Sequence, residues 1–170
     1  SDVCSSDLST SGGFFSELAH FWISDFGIVV GAAYDDNCTI VHYIGTSEED
    51  IIRLRQSKYA QSRTEGIYKT VKDMLIDGKK ILFCGTPCQV EALYSFLGKR
   101  PDNLLTMDFF CLGICSPWVY RKYLDMLESQ YKTKVSCVWF KNKTYGWRSI
   151  STKVDFVNGK TYLVTGNRDP

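Results

Sequence analysis

Hydrophobic positions recur at two periods along the chain. Phe14, Leu18, Phe21 and Trp22 fall at helical spacing, so Phe14 to Ser24 is expected to be a helix with one apolar face. Gly27 to Tyr34 is rich in small and β-branched residues and reads as a strand. Asp35-Asp36-Asn37 signals a turn, and Cys38 to Ile44 alternates, which makes a hairpin. Ser47 is placed to cap a helix that opens on Glu48, Glu49 and Asp50 and runs to about Arg55. A polar loop, Gln56 to Arg63, follows. Thr64 to Ile76 puts Ile67, Val71, Met74 and Leu75 on one helical face, and Gly78 closes it.

Lys80 to Cys84 is a short buried strand. Gly85-Thr86-Pro87-Cys88 then turns into a helix with Pro87 at its first position and an end near Gly98. Leu104 to Phe110 is a further strand. Ser116-Pro117 opens a helix with Tyr120, Tyr123, Leu124 and Leu127 facing inward. Val135 to Phe140 is a strand, and Ser149 to Phe156 and Lys160 to Val164 flank the hairpin signal Asn158-Gly159.

After residue 64 the order is helix, strand, helix, strand, helix, strand. The fold class expected is α/β: a mixed sheet with a parallel portion flanked by helices, plus β-hairpins near both ends. A length of 170 residues suits one core with a small annex. A boundary near Gly78 would separate an N-terminal part, 9–78, from the start of a C-terminal part, 79–170. Residues 1–8 have no useful periodicity and are expected to be non-native or disordered. The first residue is not Met, no signal peptide is visible and the Thr165–Pro170 end has no stop character, so the chain reads as a fragment, truncated at least on its C-terminal side.

The composition, 44% hydrophobic and 23% charged, is that of a globular domain and excludes disorder and collagen. A net charge of +1 argues against a dedicated nucleic-acid binder or a polybasic membrane anchor. No apolar run reaches the roughly 18 residues that span a bilayer, so a cytoplasmic protein without a membrane span is expected.

Seven cysteines, without a secretion signal, suggest buried thiols or metal ligands rather than a disulfide framework. Cys84 and Cys88 bracket one strand-to-helix turn, and Cys111 and Cys115 follow the next strand. Ligands of open α/β sheets gather beyond such strand ends. Cys84 reads equally as a small core residue. Cys88 sits just inside a helix N-terminus, a place that favours anionic groups such as thiolate. Four sulfurs could hold zinc or an iron–sulfur cluster, and the spacing alone does not choose. The C-x3-C spacing of Cys84 and Cys88 also departs from that of a thiol redox enzyme.

Two further segments suit an anionic ligand. Ser11-Gly12-Gly13 before a helix can bring backbone amides close to a phosphate. The loop holding Lys58, Tyr59, Gln61 and Ser62 can grip an anionic, planar group. Tyr131 to Ile150 carries five basic residues and no acid, interleaved with aromatics; it can receive an anionic cofactor tail or serve as a protected edge strand. His20 and His42 are isolated and read as structural. No Ser–His–acid arrangement emerges.

In order, Ser11-Gly-Gly-Phe-Phe15, Gly31-Ala-Ala-Tyr34, Ser57-Lys-Tyr-Ala-Gln-Ser62, Gly85-Thr-Pro-Cys-Gln89, Cys111-Leu-Gly-Ile-Cys-Ser-Pro117 and Phe140-Lys-Asn-Lys…Gly146-Trp147 resemble the coenzyme F-420 hydrogenase/dehydrogenase beta-subunit family. The resemblance runs from about Ser9 to Pro170. It implies an oxidoreductase with FAD and a [4Fe–4S] cluster, passing electrons to a redox partner protein or ferredoxin-like domain and hydride to or from a small molecule. Carried over by motif, Cys88 and Cys111 would be cluster ligands, with the remaining ligands outside the chain. Ser11, Gly12, Gly13, Lys58, Tyr59, Gln61, Ser62, Gly85, Thr86 and Pro87 would line the flavin site. Leu112 stands where the family often has His, and Cys115 where it more often has another residue. The competing reading is a zinc-stabilised structural or interaction domain closed by Cys84, Cys88, Cys111 and Cys115.

Overall fold

The computed structural model describes residues 13–146 and 149–165. They form two compact units, one from residues 13–33, 41–55 and 62–113 and the other from 34–40, 56–61, 114–146 and 149–165. The expected opening segment, 1–8, lies outside the described residues.

The first unit is built on a four-stranded sheet. Its strands are β1 (Ile28–Tyr34), β2 (Ile40–Gly45), β3 (Ile81–Cys84) and β4 (Leu104–Met107), in the order β2-β1-β3-β4. β3 runs parallel to both neighbours, pairing Val29 with Leu82 and Phe83 with Thr106. β1 and β2 form the antiparallel hairpin. Alternation along each strand sends side chains to opposite faces. Ile28, Val30, Ile81 and Phe83 meet α3 (Ile67–Ile76) and α4 (Pro87–Leu97). Val29, Ala33 and Leu82 meet α1 (Phe14–Ser24) and α2 (Glu48–Leu54). With both faces covered, β1 and β3 are apolar without a break, as buried parallel strands are. The fold is therefore α/β with a mixed sheet, as expected.

The second unit holds α5 (Pro117–Tyr131) and an antiparallel sheet of β5 (Val135–Asn142), β6 (Ser151–Phe156) and β7 (Thr161–Thr165). Tyr131 of α5 stacks on Phe156 of β6, centroids 4.3 Å apart. The Tyr120 hydroxyl donates to the Cys38 carbonyl at 3.0 Å.

Several boundaries differ from expectation for physical reasons. α1 buries Ser16 and Ala19, with Phe15, Trp22 and Ile23 beside them, while Phe14 and Phe21 are exposed. Small side chains let the helix approach the sheet closely, and the large rings at helical spacing turn outward. Cys38 is in a turn rather than a strand, buried at φ 58, with its N–H on the Asp35 carbonyl. α3 starts at Ile67, because Gly66 before it takes a left-handed φ of 75. β4 ends at Met107, whose carbonyl accepts from Gly85 N at 3.1 Å; residues beyond it leave the sheet.

Candidate functional site

The Gly85–Gln89 turn stands at the carboxyl end of the central strand β3 and enters α4. Pro87 occupies the first helical turn, where its missing N–H is no loss. Thr86 and Gln89 form a capping box. The Gln89 Oε1 accepts from Thr86 N at 3.0 Å, and its Nε2 donates to Ser62 Oγ at 2.9 Å. Ser62 Oγ in turn lies 3.0 Å from His42 Nδ1. One hydroxyl proton serves one acceptor, so Ser62 accepts from Gln89 and donates to a neutral His42. His42 stacks on Phe83 at 5.1 Å and is placed by its backbone N–H on the Arg63 carbonyl. Its Nε2 is buried without a hydrogen bond of good geometry. Burial lowers its pKa to about 4, and the Cys84 backbone offsets only part of that.

This chain of bonds joins Ser62 to Thr86, so two of the expected site residues are brought together through Gln89. Gly85 and Thr86 are buried, and Pro87 and Cys88 are exposed. Gly85 has to be glycine for space. A Cβ there would stand 3.1 Å from Gln89 Oε1, 3.2 Å from Phe83 Cε1 and 3.3 Å from Gln89 Cβ. Gly85→Ala is expected to destabilise the protein by about 1–2 kcal/mol through this overpacking, measured by urea unfolding against wild type.

The Cys88 thiol lies 3.0 Å from Thr86 Oγ1 and is exposed on the first turn of α4. Cys111 is exposed too, in a segment where Phe110 and Leu112 are fully exposed and Phe109 is half exposed. Cys84 is half-buried beside Gly31, whose added Cβ would lie 3.8 Å from that of Cys84. Cys115 belongs to the second unit, and its Sγ donates to the Tyr59 carbonyl at 3.1 Å. Among the described residues no three His, Cys, Asp or Glu side chains converge as a metal site, so the four-thiol zinc arrangement is not assembled.

Of the Ser11-Gly12-Gly13 turn, only Gly13 lies within the described residues. It is buried, with φ 83, and caps α1 without a side-chain cap bond. The helix therefore opens on backbone N–H groups that no capping side chain engages.

In the second unit, Ala60 bridges Cys115 and Gln61 N donates to the Cys115 carbonyl at 3.0 Å, which fastens the 56–61 loop. Lys58 Nζ donates to the Gln56 carbonyl at 3.2 Å and lies 5.6 Å over the Tyr34 ring. Tyr59 meets Phe140 edge to face at 5.7 Å, and Lys141 Nζ lies 5.1 Å over the Tyr59 ring. Gln61 is exposed. Burial raises the pKa of both Tyr34 and Tyr120, so these phenols stay neutral. Sequence reading passed over Gln89, although Thr-Pro-Cys-Gln carries a capping-box pattern. It also left out Tyr34, Tyr120 and Lys141 as site residues, for which no local signal exists.

Fold and site together define an α/β domain with a thiol-bearing turn at the end of a central parallel strand. Over residues 78–161 the chain belongs to the family described as the C terminus of the coenzyme F420 hydrogenase/dehydrogenase beta subunit, and the resemblance carried by its motifs is borne out. Its fold is similar to that of a chain in the xenon-derivatized F420-reducing [NiFe] hydrogenase complex from Methanosarcina barkeri, with a TM-score of 0.59 and 17% identity. That match covers 93% of this chain and 55% of the other, so the chain spans about half the length of that relative. Among curated proteins none matches significantly. No helix among the described residues is long and apolar enough to cross a membrane.

Proposed function

We propose that the chain is part of a flavin- and iron–sulfur-dependent electron-transfer oxidoreductase. The observation that carries this reading is the Cys88 thiol, exposed on a helix turn that the Gln89 network holds rigid. A ligand thiol has to be deprotonated and reachable, and a helix N-terminus favours the anion. Cys111 supplies a second exposed thiol within the same unit. Fully exposed Phe110 and Leu112 on either side of it offer apolar cover for a cluster or for a docked partner. Two thiols are half of what a [4Fe–4S] cluster takes, so its other ligands come from outside this chain. The donor set fits a shared cluster better than a closed zinc site, since the four cysteines do not converge.

For the flavin, the proposed contacts in the first unit are Ser11, Gly12, Gly13, Ser62, Gly85, Thr86 and Pro87. Those in the second are Lys58, Tyr59 and Gln61. The uncapped amides at Gly13 suit a phosphate. When bound, FAD supplies hydride chemistry and the cluster supplies single-electron transfer. The chain's own residues position and shield: Gln89 and Ser62 fix the Cys88 turn, and Lys58 places a positive charge. The partners of this reading are a redox partner protein or ferredoxin-like domain and a small-molecule hydride donor or acceptor, in the cytoplasm.

Anaerobic purification of the native protein that carries this chain tests the proposal, with one visible spectrum and iron, zinc and flavin counts on the same sample. Flavin bands over a broad iron–sulfur shoulder are expected. A colourless protein with stoichiometric zinc would overturn the redox reading in favour of a zinc-stabilised interaction domain.

A further inference from the structure

Lys141 lies in β5 where the register shifts between the Trp139–Lys153 and Asn142–Ser151 pairs, so the strand carries a bulge there. Its φ is 52, a left-handed conformation that a lysine adopts at a cost of about 1–2 kcal/mol. Bulges re-aim side chains and gather beside sites. The neighbouring residue secures this one. Asn142 is buried, its carbonyl accepts from Ser151 Oγ at 3.2 Å, and its Oδ1 accepts from Thr144 N at 2.9 Å. The outcome is the Lys141 ammonium over the Tyr59 ring. Among the described residues Lys141 has no carboxylate partner.

A second strained residue does the same for a second lysine. Gln56 has φ 73, and its carbonyl accepts from Lys58 Nζ, which lies over the Tyr34 ring. Strain of this kind at non-glycine residues concentrates at ligand sites. Behind the two lysines lies an aromatic wall. Phe140 meets Tyr59 at 5.7 Å and Tyr120 at 6.2 Å. Tyr59 is still 39% exposed. The second unit thus offers a stacking surface with a cation above it and another cation on the adjoining loop residue.

We infer that Lys141 is a further ligand-binding residue, which with Lys58 and Tyr59 holds the phosphate of a phosphate-bearing heteroaromatic ligand. An ammonium is a point charge suited to phosphate, and an exposed tyrosine ring suits a planar ring system. The phosphate could be the diphosphate of the flavin dinucleotide or that of a separate nucleotide; only the first depends on the flavin reading.

The test uses the native protein and its K141G and K141R variants, with K160A as a control. Glycine accepts the left-handed bulge and removes only the ammonium, so loss of binding is not loss of fold. FAD is compared with riboflavin, and ADP with adenosine, by titration calorimetry. K141G is expected to weaken at least one phosphate-bearing probe by about tenfold, with its phosphate-free counterpart unchanged. K141R is expected to recover most of that affinity and K160A to behave as wild type. An effect confined to FAD identifies the cofactor diphosphate, and one confined to ADP a separate nucleotide. Equal binding of FAD and ADP by wild type and K141G overturns the inference and leaves the flavin reading standing. Lysine-dependent ADP binding without FAD binding does the reverse. If wild type binds neither probe, both readings fall.

Discussion

Replacing Cys88 by Ser in the native protein is expected to remove most of its iron and its iron–sulfur absorbance while the fold stays intact. Serine is nearly isosteric and keeps a polar atom near Thr86 Oγ1, which lies 3.0 Å from the Cys88 sulfur. The side chain is exposed, and surface changes away from special contacts usually move stability by within about 0.5 kcal/mol. The turn itself is held by Gln89 through Thr86 N and Ser62 Oγ, none of which the substitution touches. A loss of iron would then report ligation rather than unfolding. Cys111→Ser is expected to behave alike, because both thiols are assigned to one cluster. Cys137→Ser serves as the control: this cysteine is also exposed, yet it lies in β5 of the second unit. Iron counted per chain, with a visible spectrum on the same anaerobic sample, decides the matter. An unchanged iron count in C88S would remove Cys88 from the ligand set.

Much of the scaffold behind that turn is legible in the sequence, because it rests on local chemistry. Ser47, Thr86 with Pro87 and Ser116 announce helix starts that the structure confirms, two of them by capping boxes and the third by Ser116 Oγ accepting from Val119 N. Asn158-Gly159 marks the β6–β7 turn in the same way. What failed depends on distant partners. Helical spacing alone ranks Phe14 and Phe21 as core, whereas close packing on the sheet at Val29 and Leu82 selects Ser16 and Ala19. Two cysteine pairs after successive strands suggested four converging thiols. The chain instead leaves the sheet at Met107, and Cys115 is spent on the backbone of Tyr59. The left-handed Lys141 has no glycine or asparagine to betray it, so only the register of β5 against β6 exposes it. The Gln89–Ser62–His42 chain spans three segments, and a spacing pattern does not reach that far.

That last network makes the fold sensitive to mild acid. His42 is buried and neutral in the folded protein, its pKa lowered by burial from 6.5 to about 4. In the unfolded chain the ring titrates near 6.5. Above that pH both states carry a neutral ring and His42 adds no pH dependence. As pH falls from 6.5 toward 4 the unfolded state binds the proton and the folded state does not, so stability is lost across that window and the loss levels off below the folded value. The shift corresponds to a loss of about 3 kcal/mol. Protonation also turns Nδ1 into a donor facing Ser62 Oγ, which already accepts from Gln89 Nε2. The serine proton then lacks its acceptor in a buried place, which opposes ring protonation further. Unfolding free energies from urea titrations between pH 7.5 and pH 4 are expected to fall more steeply for wild type than for His42→Gln, which carries no titrating ring. Other acid-sensitive groups act equally in both proteins and cancel in the difference. The comparison rests on slopes, so any constant cost of the substitution drops out. Identical slopes would mean that His42 takes up its proton in the folded state, and that the Ser62 bond tolerates an imidazolium.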